Sequence, residues 1–327
     1  MNRSDIRRKL FHLYSHNLRL IHEKLKLSVG FLNGDKIAEI QSSIYVCPLC
    51  CNGFHIDALE QTFPNPLTLE DLPPKSVGGK PQILTCKSCN NTGCYRLDKA
   101  IKESLTLEQF SKRNPFAELS VKLSFNNSNR VKATTHFIND KTLTVKFQTK
   151  NNPYAGRKFE EMRIAWDHSK FDLGFQNYNP TVGLIRIGYL LAFKCLGNAI
   201  LLDGNSVKIR EQLQNPETLM LPHTSIIELP DDLDEKTGLH FVIKPREIMS
   251  FLVVFQIKIK KIRKQIGVFI PAPKKQGWDS YTTIQNISNP TEIEFQELNS
   301  YDFLQNEQNV DGYFTLPDYY FNSKQNS

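Results

Sequence analysis

Residues 44–51, IYVCPLCC, residues 67–79, LTLEDLPPKSVGG, and residues 83–99, ILTCKSCNNTGCYRLDK, decide how this chain is read. Two Cys-x-x-Cys pairs, Cys47/Cys50 and Cys86/Cys89, bracket the acidic step Glu70-Asp71 and a Pro-Pro-Lys-Ser-x-Gly-Gly turn. The seven cysteines are unevenly spaced, unlike a secreted disulfide framework, and MNRSDIRRKLFHLYSH at the N-terminus lacks the apolar stretch of a signal peptide. The chain therefore reads as cytoplasmic, where thiols stay reduced and paired spacings mark metal ligands. Four thiolates close a tetrahedral structural Zn²⁺ site and leave no position open for chemistry. The 35 residues between Cys50 and Cys86 exceed a simple zinc ribbon, so the insert is expected to carry its own structure. Cys51 lies beside Cys50 as a competing thiol. Buried reduced cysteine is the plainer reading of any single one of these residues.

The same residues resemble the HNH endonuclease family, built on a ββα-metal fold, and the resemblance covers about residues 44–103. In that family an acidic residue followed by His sits on a first strand, and a Pro- and Gly-Gly-rich turn follows. A second strand ending in Cys-x-x-Cys then leads to Asn or His at the head of a helix. Here Glu70 takes the acidic place, residues 73–79 the turn, Ile83–Cys86 the second strand and Asn90 the helix head. The resemblance implies that Glu70 and Asn90 bind a catalytic Mg²⁺ or Mn²⁺, with the next residue after Glu70 as general base. It also implies phosphodiester hydrolysis in DNA. Proteins with such modules are often associated with bacterial defence.

The chain departs from the family at the base. Asp71 stands where the family has His, and the family's middle Asn falls at Pro81 or Gln82. A base works best with a pKa near the working pH. His meets that at about 6.5, whereas Asp sits near about 3.9. Asp71 is thus a weaker base, or joins Glu70 as an oxygen ligand for a hard cation. His55, the one histidine between the two Cys pairs, is a surface residue or an alternative imidazole. A structural reading stands beside the catalytic one: Thr68 and Asp71 loosely fit a capping box, and Asn90 is a good helix N-cap. The alternative function is a catalytically inactive, zinc-dependent nucleic-acid-binding protein that keeps the scaffold without the His.

Charge and pattern extend the reading outward. The net charge of +7 permits a polyanionic partner. Residues 44–103 carry six basic and six acidic residues, while 1–29 and 248–278 are basic. Lys75, Lys80, Lys87 and Arg96 are candidate phosphate contacts within the module, and Lys258 and Lys260 on an alternating strand outside it. A strand edge blunted by lysines is the competing reading of the last two. No run of 18 apolar residues marks a membrane span.

Ile6, Leu10, Tyr14, Leu18 and Ile21 recur at helical spacing, predicting an N-terminal amphipathic helix within 1–30. Residues 44–110 form the HNH-like unit. Residues 117–327 are expected to form a second, mixed α+β domain rich in antiparallel strands. Its period-two runs begin at Leu119, and TVGLIRIGYLLAFKCL (181–196) reads as a helix buried all round. Trp166-Asp167-His168 is read as structural. The whole is an α+β protein, with nucleic acid as the expected partner and a homodimer or partner protein open to its C-terminal region.

Overall fold

The computed structural model describes residues 2–25, 31–33, 36–38, 43–125, 129–147, 170–172, 178–230, 237–248, 250–272, 280–286, 293–298 and 304. Trp166, Asp167 and His168 lie outside them. The chain is mixed α+β with antiparallel sheets. Helix α1 spans Arg3–Leu25, and two short hairpins follow: β1 (Phe31–Asn33) with β2 (Lys36–Ala38), and β3 (Tyr45–Val46) with β4 (Gly53–Phe54). Then come β5 (Leu67–Leu72), β6 (Lys80–Cys86) and helix α2 (Lys87–Ser111). Strands β7 (Glu118–Phe125), β8 (Asn129–Phe137), β9 (Leu143–Phe147) and β10 (Lys170–Asp172) form a sheet ordered β10-β7-β8-β9.

Helices α3 (Pro180–Leu196) and α4 (Gly204–Gln214) precede the largest sheet. It contains β11 (Ile226–Leu229), β12 (Gly238–Lys244), β13 (Ser250–Ile259), β14 (Ile262–Pro271) and β15 (Glu294–Glu297), with α5 (Ser280–Asn286) between the last two. The strand order is β11-β14-β13-β12-β15.

Two compact units result. The first comprises residues 1–98, 178–257 and 263–327, and the second residues 99–177 and 258–262. This division differs from the one expected at 110–117. The expected module 44–110 is shared between the units, and much of 117–327 folds with the cysteine-bearing segment. The physical reason is α3. Being apolar on nearly every side, it needs neighbours all round, and it finds them in β5, β6, β11 and β12 and, through the Tyr14–Phe193 stack, in α1.

Aromatic rings fill the core of the first unit. Tyr14 stacks on Phe193 with centroids 4.9 Å apart, and Phe11 stacks on Tyr45 at 6.1 Å. Gly188 lets α3 approach β14, since a Cβ there would lie 2.6 Å from the Val268 side chain. The apolar stretch Pro180–Leu202 is long enough to cross a membrane, but most of it is buried inside the protein. The second unit packs Leu107 and Phe110 of α2 on Leu119, Val121 and Ala133. The alternation starting at Leu119 faces this core, as its period of two requires.

Candidate functional site

Cys47 follows β3, and its N–H donates to the Asn52 carbonyl while the Cys51 N–H donates to the Cys47 carbonyl. This tight knuckle sets Cys51 at φ 58°, in the left-handed region. Cys86 ends β6 and Cys89 sits in the first turn of α2. The Sγ atoms of Cys47, Cys50, Cys86 and Cys89 lie within 4.8 Å of one another, and Cys50 is 3.8 Å from Cys86. A tetrahedral zinc with Zn–S bonds of about 2.3 Å requires sulfur separations of about 3.8 Å. The four cysteines could therefore bind a metal such as zinc. Cys51 is outside the set. Hydrogen bonding from Cys47 holds the Cys86 thiol far below its ordinary range.

The knuckle is supported from outside. The Tyr189 hydroxyl donates to the Pro48 carbonyl at 2.9 Å, and Arg210 donates to that hydroxyl at 3.1 Å. Residue types alone gave no sign of this Tyr–Arg prop.

Strands β5 and β6 pair antiparallel from Leu67↔Cys86 to Leu72↔Lys80, and the register shifts between Glu70 and Asp71. Glu70 faces Ile83 and Asp71 faces Pro81, so Gln82 is the extra residue of a bulge. Glu70 is buried and Asp71 half-buried on opposite faces of the strand. Oε1 of Glu70 accepts from Arg186 of α3 at 3.0 Å, and Oε2 accepts from Thr85 Oγ1 at 3.0 Å. Asn90 lies inside α2 rather than at its cap. Its amide donates to Thr68 Oγ1 at 2.9 Å and to the Leu69 carbonyl at 3.4 Å, tying the helix to β5. The start of α2 is instead met by Asn65, whose Oδ1 accepts from the Ser88 N–H.

A further carboxyl joins this group. Asp98, half-buried on α2, is pushed up to about 7 by burial, against the pull of Arg186 and with the help of Glu70 and Asp71. Asp71 is also raised, by burial and then by Glu70, while Arg3 and Lys75 pull it down. Asp98 and Arg186 were both missed by sequence reasoning. A lone arginine inside an otherwise apolar helix is a legible signal for a buried carboxylate partner.

The carboxylates do not converge as the thiols do: among the described residues, only the four cysteines form a set of three or more metal-ligating groups. Both oxygens of Glu70 already accept hydrogen bonds, and Asn90 is engaged with β5. Of the pair expected to hold Mg²⁺ or Mn²⁺, Glu70 is met by Arg186 and Thr85, and Asn90 by β5. His55 is exposed at the start of a short turn, Ile56–Leu59.

The candidate phosphate contacts are dispersed. Lys75, Lys80, Lys87 and Arg96 are exposed, and Arg96 donates to the Tyr178 hydroxyl with its guanidinium 5.2 Å from that ring. Lys258 and Lys260 are exposed in the second unit, where Lys260 pairs with Glu118. Comparison with protein-family models, with curated proteins and with solved structures finds no match to this chain.

Proposed function

We propose that the cysteine-clipped hairpin and helix form a hydrolytic site for phosphodiester bonds in DNA, with Asp71 and Asp98 as its working carboxyls. The observation that carries the reading is the pair itself. Two carboxyls on adjoining elements are raised above their ordinary range by burial: Asp71 on β5, and Asp98 on α2, the latter to about 7 with Arg186 acting on it. Enzymes that run acid and base chemistry together use carboxyls whose environments hold them in different protonation states.

Asp71, the more exposed to the basic residues Arg3 and Lys75, accepts the proton of the attacking water. The water oxygen bonds to phosphorus as the bond to the leaving sugar oxygen breaks. Asp98 returns a proton to that oxygen. Glu70 and Arg186 hold the hairpin and helix in place and touch no substrate. Mg²⁺ or Mn²⁺ enters the proposal only as a charge partner for the scissile phosphate, since Glu70 is not open to hold it, and no step is routed through the ion.

The test is nicking of supercoiled plasmid in Mg²⁺, in Mn²⁺ and in chelator, comparing wild type with Asp71→Ala, Asp98→Asn and Asn90→Ala. Loss of roughly 10²-fold or more in both Asp variants is the expected result. A second reading, a binding protein without catalysis, is favoured by the Glu70–Arg186 pair, which occupies the acidic residue the HNH resemblance assigns to a metal. No cleavage of plasmid, single strand or RNA by protein that retains its metal would establish that one.

A further inference from the structure

The hairpin's bulge opens onto a cleft on the far side of Leu72. Its outer part, about 560 Å³, is lined by Leu72, Pro73 and the segment Gly78–Gln82. A second recess of about 260 Å³ shares Leu72, Pro73, Gln82 and Lys194 and continues along α3 to β13 at Val253–Gln256. All of these residues belong to the first unit. Two lysines face this space, Lys80 and Lys194, and among the described residues no Asp or Glu lines either part.

Lys194 is held in place. Its Nζ donates to Gln82 Oε1 at 2.6 Å, and the Gln82 amide in turn donates to the Leu72 carbonyl. Gln82 can do this because it is the extra residue of the bulge, turned out of the ladder. The partner of the ammonium is therefore a neutral amide. Among the described residues, neither Lys80 nor Lys194 forms an ion pair, in contrast to Lys112, Lys244 and Lys260. The turn that forms the rim is fixed as well: Gly78 has φ 93°, and a Cβ on Gly79 would lie 1.4 Å from the Pro73 carbonyl oxygen.

We propose that this cleft binds the sugar-phosphate backbone of a DNA strand, with Lys80 and Lys194 on its phosphates. The chemistry that selects the ligand is two ammonium groups in one open groove whose described lining holds no carboxylate. Ammonium groups act as point charges for phosphate. The occupant is a strand rather than a small molecule because the outer part is an open groove along the segment Gly78–Gln82, not an enclosed cavity. The inference rests on the proposed hydrolytic reading for its choice of ligand, but not on cleavage for its test.

The experiment measures binding of a short fluorescein-labelled oligonucleotide, single-stranded and duplex, to the full chain by anisotropy across a KCl series in chelator-free buffer without divalent ion. Wild type is compared with Lys194→Gln, Lys80→Gln/Lys194→Gln, Lys194→Arg and, as a control in the second unit, Lys112→Gln. Each lost phosphate contact lowers the slope of log K against log salt by about 0.7 for a single strand and about 0.9 for a duplex. The double variant is expected to lose about twice that, Lys194→Arg to keep the wild-type slope, and Lys112→Gln to be unchanged.

Equal slopes and affinities for wild type and the double variant would overturn the proposal, as would no binding by wild type. Displacement of the oligonucleotide by equimolar mononucleotide would also overturn it, in favour of a nucleotide pocket. Lysine-dependent binding without plasmid nicking leaves the cleft standing and removes the hydrolytic reading. Nicking with lysine-independent binding does the reverse.

Discussion

Arg186 of α3 and Glu70 of β5, 116 residues apart in the chain, meet in an ion pair 3.0 Å long with side chains 3% and 4% exposed. The pair fastens the hairpin to the most buried helix. Taking two charges out of water is costly, and removing one partner leaves the other uncompensated. Arg186→Met should therefore cost about 3–5 kcal/mol. The double variant Glu70→Met/Arg186→Met should recover most of that loss, because it removes both charges. Urea denaturation of the three chains checks this, and equal losses in single and double variants would contradict it.

Asp98 makes stability depend on pH in an unusual direction for a carboxyl. Its folded value of about 7 lies above the unfolded one, so between the two the folded chain binds more protons. Its contribution to stability is greatest below about pH 4 and is lost as pH rises toward about 7. Asp98→Asn should accordingly raise Tm relative to wild type more at pH 8 than at pH 5. If Asp98 also donates the proton to the leaving oxygen, wild-type nicking should fall off above neutrality. A pH–rate profile that stays flat through pH 8 would remove Asp98 from that role.

The four thiols should hold about one zinc per chain. Cys89→Ser should lower the zinc content and destabilise the first unit by more than about 4 kcal/mol, the range reached when a structural metal is lost. Cys51→Ser should leave zinc content unchanged, because Cys51 lies outside the set and packs against the cluster of Leu18, Ile44 and Val46. Metal analysis of the purified variants decides both.

Gly79→Ala tests the rim of the cleft. A Cβ there would strike the backbone of Pro73, which no side-chain rearrangement relieves. The expected cost is roughly 2–4 kcal/mol, with weaker oligonucleotide binding. The same substitution at Gly204, where a Cβ meets nothing within 4 Å, should leave stability within about 0.5 kcal/mol of wild type.

Much of this was legible from the chain. Metal ligation demands particular residue types at fixed spacing, so the two Cys pairs announced themselves. The apolar run at 181–196 announced a central helix by its lack of a polar face. What periodicity cannot carry is pairing between distant segments. Arg186 was visible as an anomaly, but that its partner is Glu70 was not. Asp98 was hidden in the same way, as one acid among the helical residues of α2, and only the packed α3 makes it special. The bulge at Gln82 depends on how two strands register, which a single strand's sequence does not encode. The division into units escaped for a related reason: α3 and the large sheet fold back onto segments more than 100 residues earlier.

Cys86 closes a strand and Cys89 opens a helix, so a metal shared between them would set the phase at which α2 leaves the hairpin. A helix turns about 100° per residue. One residue added or removed between Cys89 and Asp98 would keep every thiol in place, yet swing Asp98 off the face that meets Arg186. The nine-residue step from Cys89 to Asp98 is therefore a ruler. Natural variants of this chain should tolerate insertions in the exposed turn at Asn139–Lys141 but none along that step.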